Sequence, residues 1–398
     1  MRISKPEILQ HGGEAVYSVR VASSLGDKIL WYRVDATHAD FLTDRSDTPL
    51  LALLIPAMAR GEEVRVEGTV SERLYHALSG PYQHILRSVI PSLRRVSLHA
   101  ADLAPPGAPR APGVATGFSA GIDSYCVLAD YYYTDAPAEF KLTHLLFNNV
   151  GSHGEGGERL FQQRLARVDS VARRIGLPLI RVNSNLTEFY KPFSFQQTHT
   201  PRNASVPFLL QNGIGRYLYA SAYAYGDAFV GPARDMAYCD AVALPLLSTD
   251  SLEAISVGGE YTRVEKTLRV ADIVDSHSTL DVCVSFHGEG NCSACFKCLR
   301  TLLTLEIAGL LDRYADVFDL EEYRRRRTAY MATVLASRDP LQREIIRFAR
   351  QRRYRFPISS RLLAGLYRPV QGAARAAAMA MRAAVRIKRS FAHEGGSN

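Results

Sequence analysis

The chain has 398 residues, carries a formal charge of +8, and is 47% hydrophobic and 22% charged, a composition with material for more than one hydrophobic core. Those figures exclude an intrinsically disordered chain, a collagen-like fibre and a small disulfide scaffold. The opening Met-Arg-Ile-Ser-Lys-Pro-Glu has no apolar run behind it, and the longest apolar stretch, around Pro49 to Ala59, falls short of the roughly 20 residues that span a bilayer, so a cytoplasmic protein is expected.

In chain order, alternation predicts strands over Ala15–Ala22 and Lys28–Val34, a helix over Pro49–Arg60, a strand over Glu62–Val70, a helix over Ser71–Ile90 and a strand over Arg94–Leu98. This is an N-terminal α/β accessory module, residues 1–103, with no metal-ligand cluster and no Gly-rich phosphate loop. Ala104 to Gly113 holds four prolines and two glycines and reads as a linker. Strands then alternate with helices: strand Val114–Phe118, helix Tyr125–Tyr133, strand Lys141–Val150, helix Glu158–Ile175, strand Leu179–Val182, helix Pro207–Tyr225 and strand Ala228–Gly231. The helix over Glu158–Ile175 places Leu160, Phe161, Leu165, Val168, Val171, Ala172 and Ile175 on one face. The fold class is therefore α/β, a parallel sheet covered on both faces, with ligands at the carboxyl ends of its strands. This nucleotide-binding type of domain is expected over 114–310, and a helical basic region over 311–398.

The first of those strands runs into T-G-F-S-A-G-I-D-S, Thr116 to Ser124. A strand that stops at a small-residue turn and enters a helix directly presents bare N–H groups and a helix N-terminus to an anion. Ser119 and Ser124 can donate to phosphate oxygens, Gly121 permits close backbone approach, and Asp123 can hold Mg²⁺ or a ribose. No Lys is present, so this is not a Walker A loop.

Four of the six cysteines, Cys283, Cys292, Cys295 and Cys298, follow the spacing C-x8-C-x2-C-x2-C. The first is expected at the end of a strand and the rest running into a helix, where they can converge on one ion. A tetrahedral S₄ site favours structural Zn²⁺, with an iron–sulfur cluster as the alternative. Cys126 stands alone and reads as a small buried hydrophobe.

The string S-A-G-I-D-S resembles the S-G-G-x-D-S loop of the PP-loop ATP pyrophosphatase superfamily, whose members cleave ATP between its α- and β-phosphates. Together with the cysteine spacing about 160 residues later, it resembles the 7-cyano-7-deazaguanine synthase (QueC-like) family over roughly Val114 to Leu310. The resemblance implies an ATP- and Mg²⁺-dependent ligase with a Cys₄ zinc site. It implies nucleotide contacts from Ser119, Ala120, Gly121, Ile122, Asp123 and Ser124, and zinc ligation by Cys283, Cys292, Cys295 and Cys298. Arg202, beside Asn203, and Lys266 are expected to face ATP or acyl-phosphate oxygens, and Gly231 and Asp235 to fall in a strand-end loop. The implied substrates are a carboxylate, 7-carboxy-7-deazaguanine or a related acid, and ammonia or another amine, yielding an amide or nitrile. A homodimer and a macromolecular acceptor are further expectations from that likeness. The alternatives are a tRNA thiolase-like enzyme and a nucleotide-binding scaffold without turnover.

Two departures from the family pattern matter. Ala120 replaces a Gly, and after the second strand Asn148-Asn149-Val150-Gly151-Ser152-His153 stands where the family carries an Asp-Tyr-Gly-Gln-Arg-His type of run. His153 is a candidate base or a solvated loop residue. Finally, Leu341–Asn398 holds thirteen Lys and Arg against two Glu, a balance of +11 within the whole-chain +8, so residues 1–340 carry −3. The basic charge belongs to a tail whose Arg375, Arg382, Arg386 and Arg389 fall on one side if the segment is helical, which suits RNA, an anionic membrane or an acidic partner, or else a solvated terminal helix.

Overall fold

The computed structural model describes residues 1–107, 109–154, 157–284 and 290–367. Among them Met1–Val282 form one compact unit, and Cys283–Val284 with the residues from Gly290 onward form another. The basic tail with Arg375, Arg382, Arg386 and Arg389 lies outside the described residues.

The first half of the larger unit contains β1 (Arg2–Ile3), β2 (Glu7–His11), β3 (Glu14–Ser23), β4 (Gly26–Asp35), α1 (Asp47–Arg60), β5 (Val64–Ser71), α2 (Glu72–Ser79), α3 (Pro81–Val89) and β6 (Leu98–Ala104). Ala15, Tyr17, Val19 and Val21 of β3 are buried while their neighbours are not, the alternation of a strand with one face on a core. The single helix expected over Ser71–Ile90 is two. Gly80 takes a non-helical conformation and Pro81 opens α3 at a position where its missing N–H costs nothing. The strand expected over Arg94–Leu98 starts instead at Leu98.

The second half adds β7 (Gly113–Gly117), α4 (Ile122–Tyr131), β8 (His144–Asn149), α5 (Gly157–Ile175), β9 (Leu179–Ser184), α6 (Phe195–Leu209), β10 (Ile214–Ala220), α7 (Asp240–Leu247), β11 (Glu253–Val257), α8 (Arg263–Ala271) and α9 (Ser276–Thr279). Of the face expected on α5, Phe161, Val168, Val171, Ala172 and Ile175 are buried, while Leu160 and Leu165 are half-buried. The helix expected over Pro207–Tyr225 does not form: α6 ends at Leu209 and β10 follows. A Cβ on Gly215 would lie 2.1 Å from the Ala111 carbonyl oxygen, so the backbone packs edge to edge here, as in a sheet. That strand takes the place beside β7, and Ala228–Gly231, expected as a strand, is irregular with Phe229 and Val230 well exposed.

All strands join one sheet in the order β11-β10-β7-β8-β9-β4-β3-β1-β5-β6, with β2 also paired to β3. From β11 to β9 every pairing is parallel, and β9 meets β4 antiparallel through Tyr32↔Ser184 and Arg33↔Asn183. The expected accessory module and nucleotide-binding region therefore contribute to a single sheet. The order reverses at β7: β8 and β9 step away on one side, and β10 returns to the other. Right-handed crossovers then put α4 and α5 on one face and α6 and α7 on the opposite one. α8 packs on α4, and α6 packs on α1.

The second unit is helical: α10 (Phe296–Ala308), α11 (Leu320–Ala336) and α12 (Pro340–Gln351). Asp319 and Asp339 cap α11 and α12, and Gly309, left-handed at φ +74°, closes α10. Among the described residues no helix is long and apolar enough to cross a membrane.

Candidate functional site

In a doubly wound sheet the reversal of strand order opens a crevice at the carboxyl edge, here between β7 and β10. The turn Phe118–Gly121 occupies that point. β7 ends at Gly117, Gly121 is the N-cap of α4, and Ile122, Asp123 and Ser124 form its first turn. Ser124 Oγ donates to the Gly121 carbonyl (3.0 Å) and accepts from Ser119 N (3.4 Å), which closes the turn on itself. Ala120 is buried at φ +57°, a left-handed conformation that favours glycine, and its carbonyl accepts from Asp281 N (2.8 Å).

Asp123 meets two cations from α8. Arg263 Nη2 lies 2.8 Å from Oδ2 and Lys266 Nζ lies 3.4 Å from Oδ1. Lys266 is 1% exposed, and its ammonium also donates to the Ser221 carbonyl, just past β10. α8 is placed by a capping box in which Thr262 and Glu265 satisfy each other's backbone N–H groups. Thus two of the expected residues, Asp123 and Lys266, come together at the turn. Arg263 joins them; the T-R-V-E string that starts its helix was its available signal.

Arg202 serves the neighbouring strand end. Its guanidinium is 2% exposed, donates to Thr187 Oγ1 (2.6 Å) and lies 4.3 Å from the Tyr190 ring centroid, while Nε has no hydrogen-bond partner among the described residues. Burial pushes its pKa down. The turn after β8 rests directly on it: a Cβ on Gly151, at φ +112°, would come within 1.7 Å of Arg202 Nη2. His153, in that same turn, is neither solvated nor a strong base. It packs edge-on against Phe147 and Phe161, and burial, helped by Arg164, lowers its pKa to about 4. Cys126 is buried as expected, with its thiol pushed up to about 12 by burial. Gly231 lies in irregular backbone. Asp235 accepts from His199, a partner 36 residues away that no local pattern reveals.

In the second unit the four cysteine sulfurs lie within 4.8 Å of one another. Cys283 follows irregular backbone rather than a strand; Cys295 is the N-cap of α10, and Cys298 sits in its first turn. Sulfur separations of 3.5 Å (Cys295 to Cys298) and 4.0 Å (Cys292 to Cys298) bracket the roughly 3.8 Å edge of a tetrahedron with 2.3 Å metal–sulfur bonds. Cys292 N points to Cys283 Sγ (3.5 Å) and Cys295 N to Cys292 Sγ (3.2 Å), contacts that favour thiolates. The hydrogen bond between Cys295 and Cys298 lowers the Cys295 pKa to about 4 and raises that of Cys298. The donor set fits one thiophilic ion such as Zn²⁺.

No family model, curated protein or solved structure matches this chain.

Proposed function

We propose that the protein is an ATP-dependent ligase of the PP-loop type, similar to 7-cyano-7-deazaguanine synthases: it adenylates a carboxylate, releases pyrophosphate and passes the acyl group to an amine with release of AMP. The observation that carries this reading is the Ser119–Gly121 turn at the switch point, entering α4 directly, with Asp123 faced by Lys266 and Arg263.

A carboxylate oxygen attacks the α-phosphorus, the bond to the bridging β-phosphate oxygen breaks, and pyrophosphate leaves with the electron pair. The N–H groups of the turn and the hydroxyls of Ser119 and Ser124 hold the phosphates, and Lys266 and Arg263 offset the developing charge. Positioning and electrostatics supply the acceleration, so no nucleophilic side chain is required. Mg²⁺, when bound with the nucleotide, neutralises phosphate charge, and Asp123 is the side chain that would hold it once the phosphates engage Lys266 and Arg263. Arg202, a buried cation beneath the β8 turn that meets no carboxylate among the described residues, suits the substrate carboxylate. The four cysteines would hold Zn²⁺ as a structural ion, which leaves no position open for water. Thiols kept free for a metal suit the reducing cytoplasm.

The test is incubation with ATP, Mg²⁺, ammonium and a panel of carboxylates that includes 7-carboxy-7-deazaguanine, with product mass spectrometry. AMP, pyrophosphate and an amide or nitrile are expected, and Asp123→Ala is expected to abolish all three. A scaffold without turnover is the second reading, favoured by Ala120 in a left-handed conformation; ATP binding without any AMP would select it. One zinc per chain without visible absorbance separates both from a cluster-bearing thiolase-like enzyme.

A further inference from the structure

Three titratable side chains on the α6 face of the carboxyl edge form a hydrogen-bonded line that adenylation does not use. His199 projects from α6 with Nδ1 2.6 Å from the Tyr219 hydroxyl on β10 and Nε2 3.1 Å from Asp235 Oδ1. Asp235 is itself held: Oδ1 accepts from Ala237 N (3.0 Å) and Oδ2 from the Tyr223 hydroxyl (3.3 Å). With Asp235 ionised, the network assigns the neutral imidazole its proton on Nε2, donated to Asp235, and leaves Nδ1 to accept from Tyr219. This is the logic of an oriented base behind a hydroxyl. The side chains of His199 and Asp235 keep 14% and 27% of their exposure, so the line opens outward at Asp235, and Asn203 and Thr200 also hydrogen-bond the Tyr219 hydroxyl.

The line is connected through β10 to the groups proposed to face the phosphates. Tyr219 precedes Ser221 by two residues, about 7 Å along an extended strand, and the Ser221 carbonyl holds Lys266, which reaches Asp123. The α4 and α8 side of the β10 end carries the phosphate-facing groups, and the α6 side carries His199.

We propose that Asp235, His199 and Tyr219 are a proton relay for the amine-capture half of the reaction, with the Tyr219 hydroxyl meeting the incoming amine. This rests on the adenylation reading. The amine nitrogen attacks the acyl carbon, a C–N bond forms, and the bond from that carbon to the AMP oxygen breaks, AMP leaving with the electron pair. The N–H proton passes to Tyr219 Oη as the tyrosine's own proton passes to His199 Nδ1, and the Asp235 carboxylate stabilises the imidazolium. The proton then returns to water. Tyr219 is the catalytic residue of this step; His199 and Asp235 act through it.

The surroundings favour that direction of transfer. Burial lowers the His199 pKa and so does Arg202, but the Asp235 hydrogen bond and the nearby Asp240 carboxylate outweigh them and the net shift is upward. Burial and Asp240 push the Tyr219 pKa up, so it works as a hydroxyl in concert with His199 rather than as a tyrosinate.

The experiment uses the full chain with ATP, Mg²⁺, the carboxylate panel above and ammonium chloride. Pyrophosphate release in a single turnover without ammonium reads adenylation; amide formation with ammonium reads capture. His199→Gln and Tyr219→Phe are expected to keep the pyrophosphate burst and lose amide formation by about 100-fold or more. Asp235→Asn is expected to move the acid limb of the amide-formation pH profile downward, and the His199 titration, read by ¹⁵N-histidine NMR, with it. Parallel loss of burst and amide, loss of neither, or a His199 titration unmoved by Asp235→Asn overturns the relay. A wild-type protein with no burst on any carboxylate overturns the adenylation reading and the relay's assignment to capture, while the NMR arm reports separately on whether the hydrogen-bonded line exists.

Discussion

Ala120 adopts φ +57°, where an L side chain meets the following carbonyl and glycine does not. Restoring the glycine of the resembled loop with Ala120→Gly is expected to stabilise the fold by about 1 kcal/mol, visible as a higher urea midpoint, without loss of pyrophosphate release. Gly151 is the opposite case, since its missing Cβ is the space that Arg202 fills. Gly151→Ala is expected to drive the guanidinium from its place over Tyr190, costing about 2–3 kcal/mol of stability in thermal unfolding and raising the KM for the carboxylate. An unchanged melting temperature would show that the β8 turn does not rest on Arg202. His153 illustrates what a single residue type conceals: the Gly151-Ser152-His153 string reads as an open loop, whereas α5 folds back over β8 and holds the ring edge-on against the stacked Phe147 and Phe161.

At the scale of elements, the turn before α4 and the cysteine cluster before α10 were legible because each is local: the turn and three of the four cysteines lie within a few residues of one helix N-terminus, and Cys283 precedes Cys292 by only nine. The α6–β10 boundary was not. A run containing Leu209, Leu210, Ile214, Tyr217 and Leu218 satisfies helix and strand templates alike, and the deciding contact, Gly215 against Ala111, comes from more than a hundred residues away. The pairing of His199 with Asp235 was hidden for the same reason. If the cysteines order the start of α10 through a metal, Cys298→Ser is expected to lower bound zinc from one equivalent to well below it, with a loss of helical signal that added zinc does not restore. Further along, Glu306 on α10 accepts from Arg327 (2.7 Å to Oε2) and Tyr323 (2.6 Å) of α11. Burial pushes its pKa up, but the hydrogen bonds of Arg327, Tyr323 and Tyr354 outweigh it and hold the carboxyl below its ordinary value. A lowered folded pKa stabilises the fold above the unfolded value near 4.3, and that contribution is lost as pH falls through the folded pKa. Glu306→Gln is therefore expected to cost about 2 kcal/mol near neutrality and to flatten the fall in stability below about pH 4.5.

Across the larger unit, residues 1–103 have a structural role that their sequence does not announce. α1 packs along α6; the Thr48 hydroxyl donates to the Ser205 carbonyl (3.3 Å) and the Tyr190 hydroxyl to the Ala52 carbonyl (2.8 Å). Buried Asp47 accepts from Ser71 N (2.7 Å) and from Gln211 Nε2 (3.2 Å), tying β5 to the segment after α6. One continuous buried cluster includes Ile3, Leu54 and Leu86 as well as Ile180, Val206 and Leu244. The helix that carries His199 and Arg202 is thus held from behind by the first hundred residues, and β9 would become a bare edge without β4. Removal of residues 1–103 is expected to yield an aggregating chain without ATP-dependent chemistry, judged by size-exclusion chromatography. A monodisperse, active truncation would show that α6 needs no such support. The +8 charge tells little about this unit, because residues 1–340 sum to −3.

On the function proposed above, the Ser119–Gly121 turn and Asp123 direct cleavage of ATP between its α- and β-phosphates. Its most direct test is ion-exchange analysis of nucleotides after incubation of the full chain with ATP, Mg²⁺, ammonium and the carboxylate panel. AMP and pyrophosphate are expected in equal amounts from the wild type and neither from Asp123→Ala. ADP and phosphate, or AMP formation that survives Asp123→Ala, would contradict it.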